Sequence, residues 1–434
     1  MKRLVCFLLL IAMVISLAFS GCAVDPVQTT TANQSHNPTE GKDPTEGNTP
    51  TDGSAPTEGT HTGNYGIDFS DNDGWALNTN SAFFGVVVDD GYYYLAEDMI
   101  LRYLDMNVGT SVVLCSKIPC SHSNGSCEAF LSDYASQEKM FWWNDGLYYI
   151  ESNGHNASLL MRRNATGMAE EVVARLGESL MGSEREVSVG EFVIADGWMY
   201  YLAETFAVMQ LADGSLMSTK DKSYLCRVNL NSGKDSVLVE YSDGYLRLVT
   251  ARSDAMIYTE YDTPEFELQF DDQGMLIYPD GYYEDLAKSP ANLMRWDEAT
   301  GQSTLLLERT NETLDSVKAY GGNVIFVEEN HEHRYAYDLQ TGQLSELDMI
   351  SGALINETYM LHFEGGVHSI KNMKTGKTYP IELGGGTARV YAVSDKWLIL
   401  RVRIEGIDTV YYIPMDAIAD GIQRSDATAF PPNK

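Results

Sequence analysis

Three cysteines and a histidine crowd one short stretch of the chain, in the pattern Cys115-x4-Cys120-x-His122-x4-Cys127. Three thiolates and an imidazole form a tetrahedral donor set suited to zinc. The same thiols can instead form a disulfide where the compartment is oxidising. One bond among three cysteines leaves an odd thiol, while the spacing lacks the Cys-x2-Cys knuckle of common zinc sites. The favoured reading is therefore a single disulfide stapling an exposed insertion, with a metal site and three free thiols as the alternatives. Cys226, inside a strand-like run, reads as a buried structural thiol.

Other chemistry is thinner. His331 and His333 would share one face of a strand and make a weak metal pair, for which a solvated strand edge is the simpler account. Asp68, Asp71 and Asp73 suggest calcium but miss the alternate-position spacing of an EF-hand loop, so a turn is expected there. No Gly-x-Ser-x-Gly, Walker loop or dinucleotide fingerprint occurs in the sequence. No cofactor is expected beyond a structural zinc or calcium. A net charge of −32 excludes nucleic acid as a partner, because phosphate contacts need a basic surface.

The compartment is read from the N-terminus. Lys2 and Arg3 precede an apolar run from Leu4 to Phe19, and "LAFSGC" places Ser20 and Gly21 just before Cys22. This is the layout of a secretory signal over residues 1–21. It resembles a lipobox, with Phe19 where Leu is usual, which implies a diacyl thioether on Cys22 anchoring the chain to the outside of a bacterial membrane, Gram-positive by expectation. Residues 22–64 then contain no aromatic residue and repeat Pro-Thr-Glu/Asp-Gly from Pro38, Pro44, Pro50 and Pro56. Such a composition cannot bury enough apolar surface to order itself. A flexible tether is expected, reaching roughly 35–40 Å.

The elements that must position the cysteines lie in residues 65–424, followed by a short tail, 425–434. Asp-Gly or Asn-Gly turns introduce aromatic strands, as in "DDGYYYLAED", "NDGLYYIES" and "ADGWMYYLAE". A second strand pair then turns at Gly109, Gly167, Gly233, Gly301, Gly342 and Gly376, with a degenerate copy ending at Gly421. Asp-Gly and Asn-Gly supply the backbone of tight hairpins. Four short antiparallel strands repeated about seven times describe an all-β fold, a β-propeller with six to eight blades. Long units carry insertions at 115–139, 205–221 and 262–290. "MAEEVVARLGESLMG" fits either an amphipathic helix or a strand. For the last unit, part of 65–77 is expected to supply the missing fourth strand, with 421–428 as the alternative.

The pairs "WMYYLAE … YLCRVNLNSGK" and "LYYIES … LLMRRNATG" resemble the blades of YWTD-type and related propellers. Across most of 83–413 the chain resembles uncharacterised propeller lipoproteins of Firmicutes, which also carry an "LC-x4-C-x-H … C" element after an early blade. The resemblance implies the fold and brings no agreed activity.

Three functions compete on these grounds. The first is a surface-tethered, non-catalytic binding or scaffold propeller, monomeric, with a glycan or protein ligand. The second is an exported carbohydrate-active enzyme working from the central face. The third, a transporter solute-binding lipoprotein, would need α/β lobes rich in helix, and few segments here are helical.

Overall fold

The protein is described from a computed structural model covering residues 85–430, apart from 90, 97, 123–124, 132–138, 152–157, 165–169, 182–184, 211–215, 267–268, 271–275, 315, 320–323, 330–332, 347–351, 356–357, 365–366, 373–374 and 385. Among the described residues, seven four-stranded antiparallel sheets succeed one another along the chain. Their first and last strands are Val86–Val88 and Thr110–Val113 in blade 1, and Met140–Trp143 and Glu170–Leu176 in blade 2. Blade 3 runs from Arg185–Ala195 to Asp235–Tyr241, blade 4 from Gly244–Arg252 to Gln302–Thr310, and blade 5 from Ser316–Ala319 to Leu344–Glu346. Blade 6 spans Gly352–Leu354 to Thr378–Pro380, and blade 7 spans Thr387–Val393 to Thr428–Phe430. The fold is an all-β propeller, as the repeats predict, with seven blades among the described residues.

The repeat has a local chemical cause. In the turn between the third and fourth strands, an Asp or Asn side chain accepts backbone N–H groups two or three residues on. Asp105, Asn229, Asp297, Asp338 and Asn372 all do this. The glycine four residues after each of them has φ between 63° and 70°, a left-handed conformation that glycine adopts without a Cβ clash. Its N–H donates to the carbonyl of that same Asp or Asn at 2.8 Å in every case. An Asx turn closed by a glycine therefore joins the third and fourth strands of blades 1, 3, 4, 5 and 6.

Apolar side chains fill the joints between blades. Phe141, Tyr148, Phe192 and Tyr201 lie in the core between blades 2 and 3, and Tyr200, Leu248, Met256 and Tyr258 in that between blades 3 and 4. Ring closure uses the same device. Val87, Tyr92 and Leu104 of blade 1 pack against Ala392, Ile399 and Tyr412 of blade 7.

The last blade departs from expectation. Its fourth strand is Thr428–Phe430, which pairs with Val410, Tyr411 and Tyr412. That strand lies inside the segment expected to be a tail (425–434) and meets the alternative, 421–428, at Thr428. Residues 65–77 lie outside the described residues, as does the whole unit Met1–Gly59. In place of a third hairpin the chain forms a 3₁₀ helix, Met415–Asp420. Ile422 then bridges in parallel to Ile381, beside the outer strand of blade 6. The segment thus stitches blades 6 and 7 before it turns back into the last sheet. The ambiguous stretch in blade 2 is a strand, Glu170–Leu176, followed by a 3₁₀ turn, Glu178–Leu180. Its period-3.6 pattern yields to the pairing offered by Ser158–Asn164.

Strand direction fixes where the insertions emerge. Strands alternate up and down within a blade, so the link between second and third strands leaves from the same end as the link to the next blade. The stretch 115–139 joins blade 1 to blade 2, whereas 205–221 and 262–290 join second to third strands in blades 3 and 4. All three insertions therefore rise from one face of the ring. The glycine turns and the Asp-Gly turns occupy the other.

Candidate functional site

The Cys/His loop begins directly after the outer strand of blade 1. Leu114 and Leu131 are buried with Leu101 and Trp142 in the joint between blades 1 and 2. Leu101 donates its N–H to the Ala129 carbonyl at 2.7 Å, and Leu131 donates to Met99 at 2.9 Å. Arg163, from the third strand of blade 2 and 1% exposed, donates through Nη2 to the Glu128 carbonyl at 2.5 Å and to the Glu170 carboxylate at 2.9 Å. Lys117 Nζ donates to the Ser126 carbonyl across the loop mouth. The loop is thereby tied to both blades.

Within this frame Cys115, Cys120, His122 and Cys127 converge, each offering a ligand atom within 4.8 Å of all the others. The favoured disulfide is not present, since all three sulfurs are free thiols. The loop folds the fourth donor inward, because His122 takes a left-handed backbone conformation with φ 51° and its Nδ1 lies 3.5 Å from the Cys127 sulfur. Burial, and then the facing Cys115 and Cys120, push the Cys127 thiol up to about 11. At Cys115 burial acts in the same sense, yet the amide N–H groups of Lys117 and Glu128 and the neighbouring thiols outweigh it and lower the pKa. The four groups can hold one metal ion.

A second locus, invisible to motif reading, is assembled between blades 3 and 4 on the insertion side. Glu191 occupies a bulge in the innermost strand of blade 3, where pairing with the second strand slips between Tyr201 and Ala203. A bulge re-aims the side chain it carries. Here the carboxylate accepts the Leu248 N–H of blade 4 at 3.0 Å and lies 4.0 Å from Arg247. Burial raises the Glu191 pKa, opposed by Arg247 and by that amide. Beside it Lys220 pairs with Glu204 at 2.5 Å and lies over the Tyr245 ring, itself stacked on Tyr261. Partial burial draws Lys220 below the usual lysine range, and Glu204 opposes the shift. Neighbouring groups with opposed shifts are the raw material of acid–base chemistry and also of structural ion pairs. Only proximity across two blades brings them together, so no local pattern reveals them.

The insertion of blade 4 adds an aromatic cluster. Phe266, Tyr278, Tyr282 and Tyr283 stack around a short helix, α1 (Tyr282–Lys288), with centroids 4.7–5.4 Å apart. Tyr283 is 42% exposed. On the opposite face, Trp143, Arg162, Glu171, Asn231 and Gly233 line a shallow cavity of about 260 Å³ between blades 2 and 3. Cys226 is buried beside Tyr201, and burial raises its pKa strongly. His333 opens a strand of blade 5, His333–Asp338, whereas His331, Cys22, Asp68, Asp71 and Asp73 lie outside the described residues.

No family model matches the chain, and a search of curated proteins finds no match. Solved structures do resemble it. A puromycin hydrolase (S511A mutant complexed with PGG) aligns over 85% of this chain and 57% of its own, with TM-score 0.51 and 11% identity. A puromycin-hydrolyzing peptidase of Mycobacterium tuberculosis aligns over 85% and 56%, with TM-score 0.50 and 9% identity. An oligogalacturonate lyase in complex with manganese aligns over 79% and 90%, with TM-score 0.44 and 13% identity. This chain thus spans little more than half the length of the two peptidase-type structures. At such identities the likeness shows the fold alone.

Proposed function

We propose that the chain is a bacterial surface lipoprotein, anchored through Cys22 and carried on the 22–64 tether, whose propeller binds a glycan or peptide across the insertion-bearing face. The observation that carries this reading is the placement of all three insertions on one end of the ring. Binding residues concentrate on loops set by a rigid scaffold. Here the loops bring accessible tyrosines, an ion-pair network and a thiol-rich turn to the same side, whereas the other face carries short turns. Aromatic rings with exposed faces suit sugar rings and peptide side chains equally.

A second reading, an exported carbohydrate-active enzyme, is favoured by one observation. Glu191, Glu204, Lys220 and Arg247 meet beside the innermost strands, with a raised carboxyl and a lowered amine. A positioned acid and base with pKa values moved toward neutrality is what proton transfer at a glycosidic bond needs. A glycan and peptide array on the purified chain, followed by product analysis of every binder, separates the two. Retention without cleavage supports the binding module, and new reducing ends or unsaturated sugars support the enzyme. An array with no binder overturns both.

A further inference from the structure

We infer that Cys115, Cys120, His122 and Cys127 form a structural zinc site that clasps the link between blades 1 and 2. The inference does not depend on what the propeller binds.

Four observations carry it. The first is the geometry of the donors. With Zn–S near 2.3 Å and Zn–N near 2.0–2.1 Å, a tetrahedron has sulfur–sulfur edges of about 3.8 Å and sulfur–nitrogen edges of about 3.6 Å. The observed Cys127 Sγ–His122 Nδ1 distance is 3.5 Å, and all four donor atoms lie within 4.8 Å of one another. A shift of an ångström or less completes the shell.

The second is the donor set. Three thiolates and an imidazole are soft ligands that select zinc over the hard cations. Four protein donors also close the coordination shell, which makes a structural site and leaves no position for substrate.

The third is the failure of the alternative. A disulfide between any two of these sulfurs would leave the third thiol and an inward-turned imidazole crowded together with no partner chemistry. The backbone at His122 holds a positive φ, which His tolerates better than most residues but which remains uncommon. An arrangement that spends an unfavourable backbone conformation on bringing the imidazole inward fits a fourth ligand, whereas a two-cysteine staple has no use for one.

The fourth is the surrounding shell. The backbone N–H groups of Lys117 and Glu128 are aimed at the Cys115 sulfur, and that of Ala129 at the Cys127 sulfur. Such donors hold ligand atoms in orientation. Three thiolates and one neutral imidazole around Zn²⁺ carry a net single negative charge. Two charged side chains border the site: Lys117, tied across the same loop by its bond to Ser126, and the Glu128 carboxylate, 4.0 Å from the Cys115 sulfur and held by the Ser116 N–H and hydroxyl.

The role of the clasp follows from its position. Cys115 comes two residues after the outer strand of blade 1, and Cys127 comes two residues before Ala129, which bonds back to blade 1 at Leu101. The metal would pin the 115–127 half of the first insertion against the joint on which it sits.

The test uses the full chain purified in detergent without chelator or reductant. Metal content is measured by plasma emission, and the thiols of the 115–127 peptide are alkylated in denaturant with chelator and counted by mass spectrometry. The expected result is one zinc per chain and three alkylatable cysteines in that peptide. Cobalt replacing zinc should give the visible d–d and sulfur-to-metal bands of a tetrahedral thiolate site. Cys127→Ser and His122→Ala should each lower occupancy at least tenfold under competition with a chelator, whereas Cys226→Ala should keep the full equivalent. Should Cys127→Ser fail to fold, the cobalt spectrum of the unmodified chain and the His122→Ala variant decide the matter. Two of the three sulfurs found bonded to each other, or no metal taken up even on adding zinc to the reduced chain, overturns the inference.

Discussion

Arg163, buried on the third strand of blade 2, donates to the backbone carbonyl of Glu128 at 2.5 Å, so one blade's guanidinium holds the loop that precedes it. The same group reaches Glu170 at 2.9 Å and stands over the Tyr149 ring. Tyr149 also bonds to Glu170, which ties the outer strand of blade 2 into the network. A charge with these partners is costly to remove, because the groups left behind stay desolvated.

Replacing Arg163 with Met keeps most of the volume and deletes the charge. The variant should lose about 3 kcal/mol in unfolding free energy, measured by urea titration. It should also be cut faster within 115–139 than elsewhere. Uniform protection of that loop in the variant would show that Arg163 does not anchor it.

Glu191 gives a prediction with a definite sign. Burial raises its folded-state pKa, so the folded chain holds this proton more tightly than the unfolded chain does. The group therefore costs stability as pH rises from the unfolded value of about 4.3 through the folded one. Glu191→Gln retains a carbonyl oxygen to accept the Leu248 amide. It should raise the melting temperature at pH 7 and leave it nearly unchanged below pH 4. A variant that is less stable at pH 7 would mean that the Arg247 attraction outweighs desolvation.

Closure of the ring rests on the packing of blade 7 against blade 1. Ile399 is fully buried in that joint, and Ile399→Ala should cost about 3 kcal/mol. Ending the chain at Gln423 should also lower the melting temperature and promote aggregation, because it strips the partner from Val410–Tyr412 and bares a sheet edge. A truncated chain that melts normally and stays monodisperse would contradict this role for Thr428–Phe430.

The proposed lipid anchor is tested by Cys22→Ala. The variant should leave the membrane fraction and appear in the medium. Membrane association that persists through a high-salt wash would place the anchor elsewhere.

What was legible in the sequence is what is chemically local. The blade-closing turn needs only an Asp or Asn and a glycine four residues later, so five of its copies stand out by eye. The last strand could not be read, because Thr428–Phe430 is only three residues long. Its pairing with Val410–Tyr412 skips a 3₁₀ helix and a bridge to another blade. The spacing of Cys115, Cys120, His122 and Cys127 was visible, but their convergence depends on the left-handed turn at His122 and on ties from blades 1 and 2. The Glu191–Arg247 and Lys220–Glu204 network was hidden altogether, because its members come from four strands of two blades and no pair is close in sequence.

The central claim is that the ligand lies on the insertion-bearing face, and one binding comparison tests it most directly. The glycan and peptide array is probed with the unaltered chain, with a Tyr278→Ala/Tyr283→Ala variant on the insertion-bearing face, and with an Asn231→Ala variant on the opposite face. The account predicts that the tyrosine variant loses at least tenfold in signal while its melting temperature holds, and that Asn231→Ala binds as the unaltered chain does. Loss confined to Asn231→Ala, or full binding by the tyrosine variant, would contradict it.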